Sequence, residues 1–318
     1  RDSSLRLVGS EMCIRDSLGF VLGPRINAGG RIGDSALGAT LLSTADEMEA
    51  AKIAVLLDKL NRERKDIETR MLAEAQAAAD AIVEQDPDAA MVVLGSEEFH
   101  KGIVGLVASR LTERFRRPSC VIAWDGKGQG TGSLRSVAGV DIGGAVRAAQ
   151  AAGHLVKGGG HAMAAGLTVE RDKLEELRKF LDTRLRSHAA AARDGATLEI
   201  DGALTPQAAN RELMALLERA GPYGQGNAQP RFAFPAHRVR FAKVVGEAHV
   251  RCALEGGDGS RLDAIAFRAA EQPLGKLLLD AGGGMPLHVA GSLKRDTWGG
   301  REKLEVFIDD VADPRACG

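Results

Sequence analysis

Apolar side chains recur close to every 3.6 residues at Ile53, Leu57, Leu60, Ile67 and Met71, in a stretch with neither Gly nor Pro. That period predicts one helix over residues 45–86. Thr44 with Glu47 three residues on predicts a capping box at its start, and Pro87 stops it. A helix of that length reaches roughly 55 to 60 Å, too long for the inside of a small domain, and is expected to be a strut between two domains.

After Pro87 the pattern shortens. Residues 90–94 read as a buried strand, 102–115 as a helix, 120–124 and 130–136 as strands, and 140–152 and 173–187 as helices. This alternation predicts an α/β domain over 88–187, with the alanine-rich 188–195 as a linker. Thr205-Pro206 predicts a short helix with Thr at the N-cap and Pro at its first position. Strands follow: Val250, Cys252 and Leu254 alternate with Arg251, Ala253 and Glu255, and Leu304, Val306 and Ile308 alternate with Glu305, Phe307 and Asp309. With glycine turns at Gly256-Gly257 and Gly299-Gly300, they predict a mainly β barrel over 196–318, Phe307 contributing to its core. At the other end, residues 36–42 look helical, whereas 1–17 have no period and are set aside as a non-native leader.

The chain has 318 residues, enough for two or three domains, and its 44% hydrophobic and 27% charged residues fit a soluble globular protein. No apolar run approaches the roughly 18 residues of a membrane helix and no secretory signal is evident, so a cytoplasmic location is expected. Cys13, Cys120, Cys252 and Cys317 are too scattered for a zinc site or a disulfide framework, which fits a reducing compartment.

A net charge of −1 does not single out a nucleic-acid binder, but the cations are unevenly placed. Residues 99–136 hold seven Lys or Arg against Glu113 and Asp125, and 18–31 add Arg25 and Arg31 with no acid. Four glycine-rich segments lie in or beside these stretches. Pro24 to Arg31 sets Arg25, Asn27 and Arg31 around small residues in a loop, arginine's planar fork suiting phosphate; the alternative is an ion pair with an acid of the long helix. His100, Gly102 and Gly105, with Arg110 following, mark a helix N-terminus, where free N–H groups favour an anion; a surface histidine and a solvated basic helix face are the plainer readings. Ser133 and Arg135, two apart on an extended strand, point to one face. Gly159-Gly160-His161 in Lys-Gly-Gly-Gly-His is a backbone-exposing loop beside an imidazole, or else a tight turn with a packed histidine.

In order and spacing these four motifs resemble the C-terminal part of the RecJ family, single-strand-specific 5′ exonucleases of the DHH phosphoesterase superfamily. The resemblance runs from about residue 18 to residue 313. It implies the end of a DHH domain over 18–44, a connecting helix over 45–86, a DHHA1 domain over 88–187 and an OB-fold over 196–318. It also implies 5′-to-3′ exonuclease activity in recombination and repair, with Mn2+ or Mg2+ as cofactor. Single-stranded DNA is the implied partner, alongside single-strand-binding protein and other recombination proteins. The candidate phosphate and strand contacts within these motifs are Arg25, Asn27, Arg31, His100, Arg110, Ser133, Arg135, Gly159, Gly160 and His161. Leu134 is a departure from the family, in which that position is often small.

None of the seven histidines adjoins another, and the family's metal-binding Asp-His-His is absent. No catalytic or metal-ligating residue is therefore assigned, and the chain is expected to be an inactive fragment beginning after the metal ligands. The barrel offers Arg251, Arg261, Arg268, Lys294, Arg295 and Arg301 with Phe267 and Trp298 for cradling and stacking a strand. Two other functions stay open. One is a DHH–DHHA1 phosphodiesterase of oligonucleotides or cyclic dinucleotides, which the roughly 150 residues beyond His161 disfavour. The other is a non-catalytic single-strand-binding module.

Overall fold

The computed structural model describes residues 18–315 apart from 20, 196, 225–226, 247 and 297–302. They form two compact units, one up to residue 196 and one from residue 197. The predicted leader over 1–17, the Gly299-Gly300 turn, Trp298 and Arg301 lie outside the described residues.

In the first unit the segment read as a loop around Arg25 and Arg31 is helical: α1 spans Gly23–Ile26, α2 Gly29–Ile32 and α3 Leu37–Ser43. Gly29 packs so closely on the long helix that an added methyl would lie 3.3 Å from Leu57. That helix, α4, spans Glu47–Gln85; its 39 residues extend about 58 Å. Its cap is not the predicted Thr44–Glu47 box. Asp46, in extended backbone just before the first turn, accepts from the N–H groups of Met48 (2.8 Å) and Glu49 (3.2 Å). Its carboxylate also suits the positive end of the helix dipole, and Thr44 turns instead to the Glu49 carboxylate. In its second half Met71, Ala75 and Ala79 are buried in a core with Val104, Val107 and Leu111, so this half of the strut belongs to the α/β unit.

A five-stranded sheet organises the rest: β1 (Val92–Ser96), β2 (Ser119–Trp124), β3 (Gln129–Arg135), β4 (Lys157–His161) and β5 (Ala164–Glu170), in the order β1-β2-β3-β5-β4. β1 and β2 are parallel and the other pairs antiparallel. Alternation along the strands divides the core. Val92, Leu94, Val121 and Ala123 face α4 and α5 (Val104–Phe115), while Val93, Cys120, Ile122, Leu134 and Leu167 face α6 (Ile142–Ala151) and α7 (Leu174–Asp194). Two expectations change here. The glycine run is an edge strand rather than a loop, because every residue of 157–161 pairs with β5. The linker expected over 188–195 is mostly the end of α7, whose stripe Leu177, Leu181, Leu185 and Ala189 stays buried at four-residue spacing.

The second unit is a closed barrel. Its strands are β6 (Gly202–Ala203), β7 (Phe232–Val245), β8 (His249–Glu255), β9 (Arg261–Ala266), β10 (Pro286–Asp296) and β11 (Lys303–Ala312). The pairing runs β7-β8-β9-β11-β10 and back to β7, with β6 added beside β7. α8 (Arg211–Ala220) precedes β7, and α9 (Pro273–Asp280) connects β9 to β10. Phe234, Val239, Val250, Leu254, Leu287 and Val306 fill the interior. Thr205-Pro206 opens only a turn, in which the Thr205 hydroxyl accepts from the Ala208 N–H (3.2 Å). The helix proper begins after Asn210, whose side chain caps Leu213 (3.0 Å). Phe307 leaves the core: with Val306 and Ile308 inside, the two-residue period turns it outward.

Candidate nucleic-acid interface

The start of α5 gathers the first cluster. The His100 carbonyl accepts from Ile103 (2.9 Å) and Val104 (3.2 Å) while its Nδ1 accepts from Gly102 (3.1 Å), tightening the turn that launches the helix. A methyl on Gly102 would lie 2.0 Å from the Arg31 carbonyl, and the Arg31 guanidinium donates to the Gly102 carbonyl (3.3 Å). Two segments 71 residues apart thus touch. On the other side, a methyl on Gly105 would lie 3.0 Å from Ser133 Oγ and 3.1 Å from an Arg135 terminal nitrogen. Arg135 donates to Ser133 Oγ (3.0 Å) and to the Leu134 carbonyl (2.8 Å). Burial, and then the charge of Arg31, hold the Arg135 guanidinium below the usual arginine range. Two half-buried guanidinium groups and a hydroxyl thus converge beside the first turn of α5, an arrangement of donors suited to an anion.

From this cluster the sheet face runs bare to its edge. Ser133 lies opposite Gly166, which lies opposite Gly159; Arg135 lies opposite Ala164, which lies opposite His161. Across two strands, about 10 Å, nothing larger than a methyl rises until the exposed His161. A methyl on Gly159 would meet nothing within 4 Å, whereas one on Gly160, at φ 154°, would lie 2.3 Å from the Ala164 carbonyl. Gly159 keeps the floor open, and Gly160 is required by the close approach of the hairpin.

Six predicted residues, Arg31, His100, Ser133, Arg135, Gly159 and His161, belong to this face and the turn beside it. Gly160 supports it from within the strand. Arg25 does not join: it pairs with Asp58 of α4 (2.8 Å) and donates to the Val21 carbonyl (2.7 Å), the ion-pair alternative. Asn27 is exposed at the end of α1, and Arg110 pairs with Glu113 (3.0 Å) along α5. Sequence reading missed Arg147 of α6, which donates to the Gly160 carbonyl (2.8 Å). A lone cation in an alanine-rich helix carries no motif.

On the outer face of the barrel, Phe267 and Phe307 meet edge to face at 4.8 Å, and His249 meets Phe267 at 5.0 Å. The Lys294 ammonium lies 5.9 Å from the Phe307 ring centre, and Phe267 is 51% exposed. Arg251 pairs with Glu305 (3.1 Å), Arg261 with Glu255 (2.8 Å) and Arg295 with Glu218 (2.9 Å), so much of the predicted positive charge is internally compensated.

The family model for the DHHA1 domain matches residues 88–187, and that for the RecJ OB domain matches 200–310. Over 307 residues, 92% of its length, the chain is 35% identical to the single-stranded-DNA-specific exonuclease RecJ of Escherichia coli. The chain thus carries a DHHA1 domain and a RecJ OB domain, and is similar to RecJ proteins over nearly all of its length. RecJ of Salmonella typhimurium is 34% identical over 298 residues. The chain spans about half the length of these curated RecJ relatives, 51% of each. RecJ of Thermus thermophilus in complex with Mg2+ superposes with a TM-score of 0.70 at 29% identity, covering 94% of this chain and 44% of that one. Its complex with Mn2+ gives the same TM-score, covering 41% of that chain. The residues described here do not fit such a metal: among them no three His, Cys, Asp or Glu are placed to hold an ion. Among them, too, no helix is long and apolar enough to cross a membrane.

Proposed function

We propose that this chain holds single-stranded DNA by its 5′ end for a metal-dependent 5′-to-3′ exonuclease of recombination and repair. The observation that carries the proposal is the convergence of Ser133 and Arg135 on the first turn of α5, within 3.0 and 3.1 Å of where a Gly105 side chain would stand, with Arg31 alongside. A terminal monophosphate carries up to two charges and more free oxygens than an internal diester, so forked donors at a helix start prefer it. From there the strand follows the bare floor past Gly166 and Gly159, with His161 at its margin. On the barrel, Phe267 and Phe307 offer stacking surfaces.

In this reading residues 18–44 close a DHH domain, α4 connects, and the α/β and barrel units are the DHHA1 and OB domains. The Mg2+ and Mn2+ in the Thermus thermophilus structures support metal-dependent hydrolysis for the enzyme as a whole. The described residues supply binding and orientation, and no hydrolytic step is assigned to them. Buried free thiols at Cys120 and Cys252 fit a reducing cytoplasm. The test compares the chain's affinity for one oligonucleotide bearing either a 5′-phosphate or a 5′-hydroxyl. The phosphorylated strand is expected to bind more tightly, and equal affinities would refute end recognition.

A further inference from the structure

The exposed edge of the sheet carries a feature outside the terminal cluster. β4 is the last strand, and an unpaired edge ordinarily invites another chain to pair with it. Here α6 packs its first turn against the strand: a methyl on Gly143 would lie 2.7 Å from the His161 carbonyl and 2.8 Å from that of Gly160. One turn on, Arg147 falls over the same peptide and donates to the Gly160 carbonyl at 2.8 Å. This is the guanidinium's one hydrogen bond among the described residues, and a guanidinium has five donors. Arg147 is exposed, as are Lys157 and His161 at the two ends of β4.

We propose that Arg147 is a second phosphate anchor: fixed by the Gly160 carbonyl, it takes an internal phosphodiester of a strand whose end lies at Arg135. The inference rests on the end-binding reading above and extends it to a residue on a different helix. His161 is about 10 Å, two strand spacings, from the Arg135 row, so a phosphate at this edge belongs to a later nucleotide than the terminal one. A guanidinium already immobilised by one bond loses less freedom on gripping a second oxygen.

The experiment measures the affinity of the chain for a single strand of about a dozen nucleotides bearing a 5′-phosphate or a 5′-hydroxyl, and for a 5′-phosphorylated mononucleotide, across a salt series. Arg147→Ala, Arg147→Gln and Arg147→Lys are compared with the parent. Glutamine keeps an N–H for the Gly160 carbonyl but removes the charge, separating propping from phosphate contact. The alanine and glutamine variants are expected to weaken strand binding about five- to tenfold at low salt and to make the salt slope shallower by about 0.7. The lysine variant should retain most of the slope, and all variants should bind the mononucleotide as the parent does. Glutamine matching the parent while alanine fails would reduce Arg147 to a prop, and an unchanged slope in both would overturn the proposal outright. A parent that distinguishes no 5′-phosphate yet loses slope without Arg147 would refute end recognition and leave the edge anchor standing. A parent that binds no strand would sink both.

Discussion

In the α/β unit Arg31, Gly105, Ser133 and Arg135 arrive from a short helix, a helix start and a strand, and meet around a floor of Gly159, Ala164 and Gly166. In the barrel, His249, Phe267, Phe307 and Lys294 meet as outward residues of β8, β10 and β11 and the turn after β9, and the nearby arginines Arg251 and Arg261 are paired to acids. The first surface is cationic and backbone-lined; the second is aromatic, with most of its positive charge answered. Phosphate recognition requires uncompensated donors at fixed spacing, whereas stacking requires only exposed ring faces, so under the proposed function the first surface suits the end of a strand and the second its bases.

The division can be broken from the inside first. Phe234→Ala in the fully buried barrel core is expected to cost about 3 to 5 kcal/mol, read as lost hydrogen-exchange protection in β7 to β11. Equal loss of protection throughout the α/β sheet would show that the two regions do not act as separate cores. Next in size, Arg135→Ala should remove most of the preference for a 5′-phosphate, about 1.5 to 3 kcal/mol in binding. A preference that survives would leave Arg135 tracking the backbone.

Phe267→Ala should weaken binding of long strands by about 1 kcal/mol, the low end for a stacked base, and leave the 5′-phosphate preference untouched. If that preference falls instead, the division between end and bases is wrong. Arg25→Ala should change strand affinity by less than a factor of about two, because its guanidinium is already engaged by Asp58, and should cost stability by no more than about 1 kcal/mol.

One further effect, confined to alkaline pH, is one the two units should share. Burial pushes the thiols of Cys120 and Cys252 up to about 12. An unfolded cysteine ionises near pH 8.5, so between there and about 12 the unfolded chain sheds protons that the folded chain keeps. Stability should therefore fall as pH rises above about 8.5, and both thiols should resist iodoacetamide at pH 8 until the protein unfolds. Rapid alkylation of either one in the native protein would show that its unit opens locally.

Where local chemistry alone decides, the sequence was legible. The period of Ile53, Leu57 and Met71 located the long helix, and the alternation of Val250, Cys252 and Leu254 located a barrel strand whose inner face is indeed those three. Ser133 and Arg135 were placed on one face by the two-residue period, and the structure keeps them hydrogen-bonded there. It misled where competing groups sit within a residue or two of each other. Asp46 displaced Thr44 as the cap, and Ala189 continued a buried stripe that alanine richness had disguised as a linker. Phe307 was taken for core by its apolarity, although its own strand's alternation pointed it outward.

What the sequence by itself determined was therefore the set of elements and the residue types able to meet phosphate, because turns, caps and periods act within a few positions along the chain. Which of those residues share a site was decided only in three dimensions. Arg25 and Arg31 lie in near-identical local contexts, yet one is neutralised by Asp58 from 33 positions away and the other lies against Gly102 beside Arg135. The glycine run likewise reads the same as loop or strand, and it is β5, pairing along its whole length, that makes it the open edge of a sheet with Arg147 fastened to it. Charge compensation and strand pairing depend on partners distant in sequence, and tertiary packing alone selects those partners.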